Sequence, residues 1–182
     1  MKKYLFISMW LLLCTATSFA EGKLQIGETF PDRVLQRPAE QGLADYLGIA
    51  SGNNDFSVKD IRAELVLVEF FSMYCPHCQH EAPLVNNLYA MIQDNKLNQK
   101  IKMVGIGIGN SAYEVGIFQE KFTIPFPLFA DENFIWHKQV GEVGTPYFVL
   151  VRNDTGTSTV VLTHLGRIES AASFFKKIKE HL

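Results

Sequence analysis

The chain has 182 residues, of which 47% are hydrophobic and 20% charged, with a formal charge of −2. Such a chain suits one globular unit with a substantial core. It is not basic enough for a nucleic-acid binder, and three cysteines are too few for a disulfide-stapled scaffold.

The chain begins Met1-Lys2-Lys3 and then runs almost wholly apolar from Tyr4 to Leu13. Ser18-Phe19-Ala20 follows, with small residues where a signal peptidase needs them. Residues 1–20 therefore read as a secretory signal cleaved after Ala20, and the mature protein is expected to be periplasmic or otherwise exported, and soluble. The apolar run is short for a membrane span; an uncleaved N-terminal anchor is the competing reading. Lipid attachment at Cys14 is disfavoured, because Leu13 stands where lipoprotein processing wants a small residue. Cleavage leaves Cys75 and Cys78 as the mature cysteines, and 15 basic against 19 acidic residues, a charge of −4.

Residues 21–60 read as an N-terminal extension of the domain that occupies 61–182. Gly27 to Asp32 is a loop leading in, Pro38 to Tyr46 a short helix, and Gly48 to Asn54 turn-rich. Leu65-Val-Leu-Val-Glu-Phe-Phe71 is β-branched and apolar on both parities, the mark of a strand covered on both faces. A helix is expected from Pro76 to Asp94, with Leu84, Val85, Leu88, Met91 and Ile92 at helical spacing and a kink at Pro83. Ile101 to Ile108 is a second buried strand. Tyr113 to Phe122 reads as a helix, Phe126 to Phe129 as a short strand, and Asn133 to Val140 as a helix. Pro146 to Val151 and Thr159 to His164 form a hairpin across the turn Asn153 to Gly156. Glu169 to His181 closes as an amphipathic helix, with Ala172, Phe175 and Ile178 on one face. This alternation predicts an α/β fold: a mixed sheet with parallel central strands, an antiparallel C-terminal hairpin, and helices on both faces.

The chemistry concentrates in Glu69-Phe-Phe-Ser-Met-Tyr-Cys75-Pro-His-Cys78. Two thiols three residues apart, between a buried strand and a helix, point to disulfide exchange. If the strand ends near Ser72, Cys75 falls at the mouth of the helix, with Pro76 in its first turn. There the helix dipole and unpaired N–H groups favour a thiolate, which makes Cys75 the nucleophile. Cys78, on the same helical face, is expected to be the more buried thiol and to resolve the mixed disulfide. His77 is positioned to stabilise the Cys75 thiolate by its ring or its N–H groups; a solvated histidine is the plainer reading, and plainer still for His80. Glu69 is the odd residue of its strand. It either faces a partly wet pocket or is held neutral with a raised pKa, where it can exchange a proton with Cys78. A strand-end carboxylate reaching solvent is the alternative. Pro146 must begin its strand, and the Thr145 backbone offers an edge to an extended substrate. On base rates alone the Thr145–Pro146 peptide is trans.

Together these residues resemble the thioredoxin superfamily over about residues 60–182. Cys75-Pro-His-Cys78 and its lead-in look like the DsbA-type thiol oxidases. The layout is similar to the TlpA/ResA branch, with an insert from about Ser111 to Val140 and with Gly144-Thr145-Pro146 before the second-last strand. The resemblance implies a cis Thr145–Pro146 peptide and a buried acid at Glu69. It implies cysteine-containing exported proteins as partners and a redox-recycling partner, for which the membrane is one location. Disulfide exchange by the redox-active Cys75–Cys78 pair needs no metal and no organic cofactor, only a redox partner. The Pro-His pair points to an oxidant, while the TlpA-like frame and Thr145 are more usual in reductases and isomerases.

Two other readings use the same thiols. A peroxiredoxin-like peroxidase would employ Ser72 as a hydroxyl donor, but a second cysteine so close would trap the sulfenate at once. A copper-carrying module would take a further ligand from His80, His137 or His164.

Overall fold

The structure, a computed structural model, describes residues 23–49, 55–154 and 156–182. The expected signal at 1–20, Cys14 and turn residues 50–54 lie outside them. The legible strands form one sheet. Leu65–Phe71 (β3) pairs in parallel with Ile101–Ile108 (β4), which pairs in parallel with Leu128–Asp131 (β5). On its other side β3 pairs antiparallel with Tyr147–Asp154 (β6), and β6 with Thr157–Leu165 (β7), for an order of β5-β4-β3-β6-β7. Every residue of β3 and β4 is buried, as two-sided cover requires.

One face of the sheet is covered by Pro76–Asp94 (α2), Ala112–Phe122 (α3) and Ala171–Lys179 (α5), through Val85, Leu88, Ile92, Phe118, Phe174 and Ile178. The opposite face carries Gln41–Leu47 (α1), Ile135–Gln139 (α4) and most of the N-terminal segment, through Leu35, Leu47, Phe56 and Trp136. The described residues of this segment, 23–49 and 55–61, thus share a core with β3 and β4. Their strand Leu35–Gln36 (β1) pairs with Asp55–Phe56 (β2) in a small ribbon, followed by a single 3-10 turn at Val58–Asp60. The segment also covers the β7 edge, where Phe30 N–H donates to Ser158 O and Val160 N–H to Glu28 O.

Several boundaries move from the expected ones. The strand placed at 126–129 lies at 128–131, because Phe126 is wholly buried in the core and Pro127 lacks an N–H to enter the ladder. β6 continues to Asp154 and β7 begins at Thr157, so the hairpin turn is tighter than the four residues expected. The buried face of α5 is Ala171, Phe174, Phe175 and Ile178, with Ala172 exposed. The helix α2 is assigned without a break through Pro83.

β5 reaches only the second half of β4. Beyond it the Met103 N–H donates to the Tyr46 hydroxyl at 2.7 Å, so α1 satisfies the uncovered part of the strand. Gly107 sits where β4 passes under α3. A Cβ there would lie 2.8 Å from Val115 Cγ2, 3.2 Å from Asn110 Oδ1 and 3.2 Å from Phe71 Cζ. Val115 is stiff at χ1 and Phe71 is fully buried. Gly107→Ala is therefore expected to destabilise the fold by about 1–3 kcal/mol through overpacking. Urea denaturation measures it, and an unchanged midpoint would show that the neighbours yield freely.

Candidate active site

The two thiols sit at the carboxyl end of β3, the end at which open parallel sheets place their ligands. The strand stops at Phe71, and a turn closed by Cys75 N–H to Ser72 O, 3.1 Å, leads into α2. Cys75 is the N-cap residue of that helix, with extended backbone, and Pro76 occupies the first helical position. Its sulfur takes the place that a serine or aspartate oxygen takes in an ordinary cap. The Cys78 N–H points at Cys75 Sγ across 3.3 Å. Thr145 O lies 3.3 Å from the same sulfur, accepting from the thiol when it is protonated.

Both thiols are free, Cys75 half-buried and Cys78 fully buried. Burial by itself pushes the Cys75 thiol up. Hydrogen bonds from the side chains of Thr145 and Cys78 and from the backbone N–H groups of Cys78 and His77 outweigh it, and bring the pKa below the ordinary thiol value. Cys78 is pushed far the other way, first by burial and then by its hydrogen bond to Cys75. The pair is thus electrostatically unequal: an accessible sulfur biased to the anion beside a buried one held as the thiol.

Glu69 is buried on β3 at 5% exposure, on the same parity as Leu67 and Phe71 and so on the face toward α2. Burial, with the charges of Glu81 and Cys75 adding, pushes its pKa up to about 8. It is neutral over most of the physiological range, and it does not reach solvent. The Thr145–Pro146 peptide is cis. His77 is exposed, and its backbone N–H is the group that acts on Cys75. His80 is exposed as well.

The AhpC/TSA family profile matches residues 26–169. The chain belongs to the AhpC/TSA family. It is 24% identical over 158 residues to the thiol-disulfide oxidoreductase ResA of Halalkalibacterium halodurans, covering 87% of this chain and 85% of that protein. To the ResA of Geobacillus thermodenitrificans it is 27% identical over 106 residues, spanning about half of that protein's length (51%) and 58% of its own. Among solved structures it is similar to a thiol:disulfide interchange protein of the thioredoxin family from Chlorobium tepidum. There the TM-score is 0.60 at 17% identity, over 85% of this chain and 96% of that one. The latter likeness establishes a thioredoxin-like fold.

Within this AhpC/TSA-family fold, two buried polar residues that sequence reasoning missed hold the segments that carry the thiols. Glu81 is wholly buried on α2, with Oε1 accepting from Ile168 N–H at 2.7 Å and Oε2 from Arg167 Nε at 3.1 Å. It ties the active-site helix to the loop before α5. Its signal was present: Cys78, Glu81, Ala82, Val85, Leu88 and Ile92 form one buried stripe at helical spacing, and a carboxylate within such a stripe requires a partner. The second is Asn110, buried at the end of β4, for which no periodic pattern gave warning.

The remaining candidates are engaged elsewhere. The Ser72 hydroxyl accepts from Asn110 Nδ2 at 3.4 Å. The His137 ring is hydrogen-bonded to Val143 O at 2.9 Å, and the His164 ring to Arg167 O at 2.9 Å. No group of three or more His, Cys, Asp or Glu side chains gathers into a metal-binding set among the described residues. A cleft of about 760 Å³ runs between residues 32–39 and β5 and includes neither cysteine. Cys75 instead opens on the surface, which suits a macromolecular partner better than a small enclosed substrate.

Proposed function

We propose that the chain is an exported thiol–disulfide oxidoreductase whose working pair is Cys75 and Cys78, acting on cysteines of exported proteins. The observation that carries this reading is the half-exposed Cys75 sulfur at the N-cap of α2, 3.3 Å from the Cys78 N–H, with a protonated thiol buried behind it. The thiol-disulfide oxidoreductase relatives favour the same chemistry. Residues 1–20 supply the export signal, and no helix among the described residues is long and apolar enough to cross a membrane.

In the reducing direction the Cys75 thiolate attacks one sulfur of a client disulfide. One client thiolate leaves and a mixed disulfide forms. Cys78 loses its proton to the ionised fraction of Glu69 and attacks Cys75 Sγ. The second client thiolate leaves, the client has gained two electrons, and Cys75–Cys78 is a disulfide. A separate redox partner returns the pair to its starting state. The same steps reversed oxidise a client dithiol. The Thr145 backbone, beside the sulfur, lines the client's path, and His77 contributes its N–H to the anion.

The test is transfer to a disulfide-bonded protein. The reduced chain is expected to reduce it and Cys75→Ser to leave only the background rate. A Cys75→Ser chain that still exchanges at the parent rate would overturn the assignment.

A further inference from the structure

The approach of the chain to Cys75 is held more firmly than a turn of this kind requires. In the turn from Ser72 to Cys75 the middle peptide, between Met73 and Tyr74, is the unit that rotates most easily, since types I and II differ by its flip. Here both peptides around Met73 are gripped by side chains. Met73 N–H donates to Asn110 Oδ1 at 2.9 Å, and Met73 O accepts from Gln79 Nε2 at 2.7 Å.

Asn110 is itself immobilised. It is wholly buried, its amide nitrogen donates to Ser72 Oγ at 3.4 Å, and its backbone N–H donates to Gly107 O at 3.1 Å. Gly107 leaves the space its side chain fills, a Cβ there falling 3.2 Å from Oδ1. Ser111, the next residue, caps α3 through its bond with Glu114 N–H. A primary amide desolvated to this degree is costly unless its polar atoms are used, and both of these are used on the Ser72–Met73 segment.

Resting on the functional reading above, we propose that Asn110 is a positioning residue for the nucleophile. With Gln79 on the other side, it locks the peptides around Met73 and so holds Cys75 Sγ where the N–H groups of His77 and Cys78 meet it. Asn110 touches neither sulfur. It acts through backbone geometry, and thiolate stabilisation at a helix N-terminus falls off steeply with misalignment of the N–H groups. Releasing either grip frees a peptide beside Met73 to rotate and the sulfur to leave the cap.

The experiment is titration of the Cys75 thiolate by its ultraviolet absorbance in the reduced full chain, alongside thermal denaturation. Asn110→Ala is expected to raise the Cys75 pKa by about one unit, a tenfold fall in the thiolate-to-thiol ratio. A folded Asn110→Ala chain that loses thermal stability while Cys75 titrates as in the parent would overturn the proposal, since a merely structural residue behaves that way. Should Asn110→Ala not fold, Gln79→Ala, on the surface side of the helix, decides in its place: a raised pKa supports the clamp and an unchanged one overturns it. Titration needs no client, so a chain that fails to exchange disulfides would sink the functional reading and leave the clamp to be judged on the thiol alone.

Discussion

Cys78→Ala is expected to convert the protein from one that turns over into one that stays joined to its clients. The substitution removes the buried thiol and keeps the backbone N–H that lies 3.3 Å from Cys75 Sγ. Cys75 loses the hydrogen bond of the Cys78 side chain but keeps the backbone N–H groups that favour its thiolate, and the first attack proceeds. The mixed disulfide then waits on a thiol from solution. Well-placed intramolecular groups act at effective molarities of about 10⁵ M and above, about 10⁸ times millimolar, so external thiol is expected to resolve the adduct orders of magnitude more slowly. Covalent adducts on non-reducing gels, dissolved by dithiothreitol and absent from Cys75→Ser, Cys78→Ala, are the readout. A Cys78→Ala chain that turns over like the parent would mean that the buried thiol is structural. The fold itself should survive, because the lost volume is a single sulfur.

What was legible followed from burial on two sides. β3, β4 and β6 are continuous apolar runs because both faces of the sheet are covered, and α2 and α5 show their stripes because only one face is. The β1–β2 ribbon was invisible, since two residues per strand cannot display an alternation. β5 was misplaced because Phe126 and Phe129 look alike in sequence, although Phe126 fills the core beneath α3 and only Phe129 is in the ladder. At the site, the cysteine spacing and the acid in β3 were readable because each breaks a local pattern. Asn110 was not: a polar residue after Gly109 resembles any turn residue, and only the tertiary fold brings it to Met73, 37 positions away.

Glu69 joins this architecture to pH. Its folded pKa of about 8 stands well above the ordinary carboxyl value of 4.5, because burial and the nearby negative charges disfavour the anion. In acid, below the unfolded pKa, both states hold the proton and the folded state has its full advantage. As pH rises the unfolded chain releases the proton first, and stability falls by about 1.4 kcal/mol per pH unit until the folded carboxyl ionises near pH 8. Glu69→Gln carries no ionisable group, so it is expected to lose that slope and to gain on the parent most at pH 8 and above. Urea melts across this range supply the comparison.

The same substitution should slow chemistry while it raises stability. With no carboxylate to accept the Cys78 proton, resolution of the mixed disulfide is expected to fall by about 10²-fold, the low end for general-base catalysis. Formation of the adduct by Cys75 should be spared, since that sulfur is already biased to the anion by N–H groups that the substitution leaves in place. The Glu69→Gln chain would then accumulate mixed disulfides transiently, between the behaviour of the parent and that of Cys78→Ala. A variant that resolves at the parent rate yet loses the stability slope would assign Glu69 to electrostatics of the buried face alone. One that resolves slowly and is also stabilised at high pH would place a cost of folding and a gain in turnover on the same carboxyl.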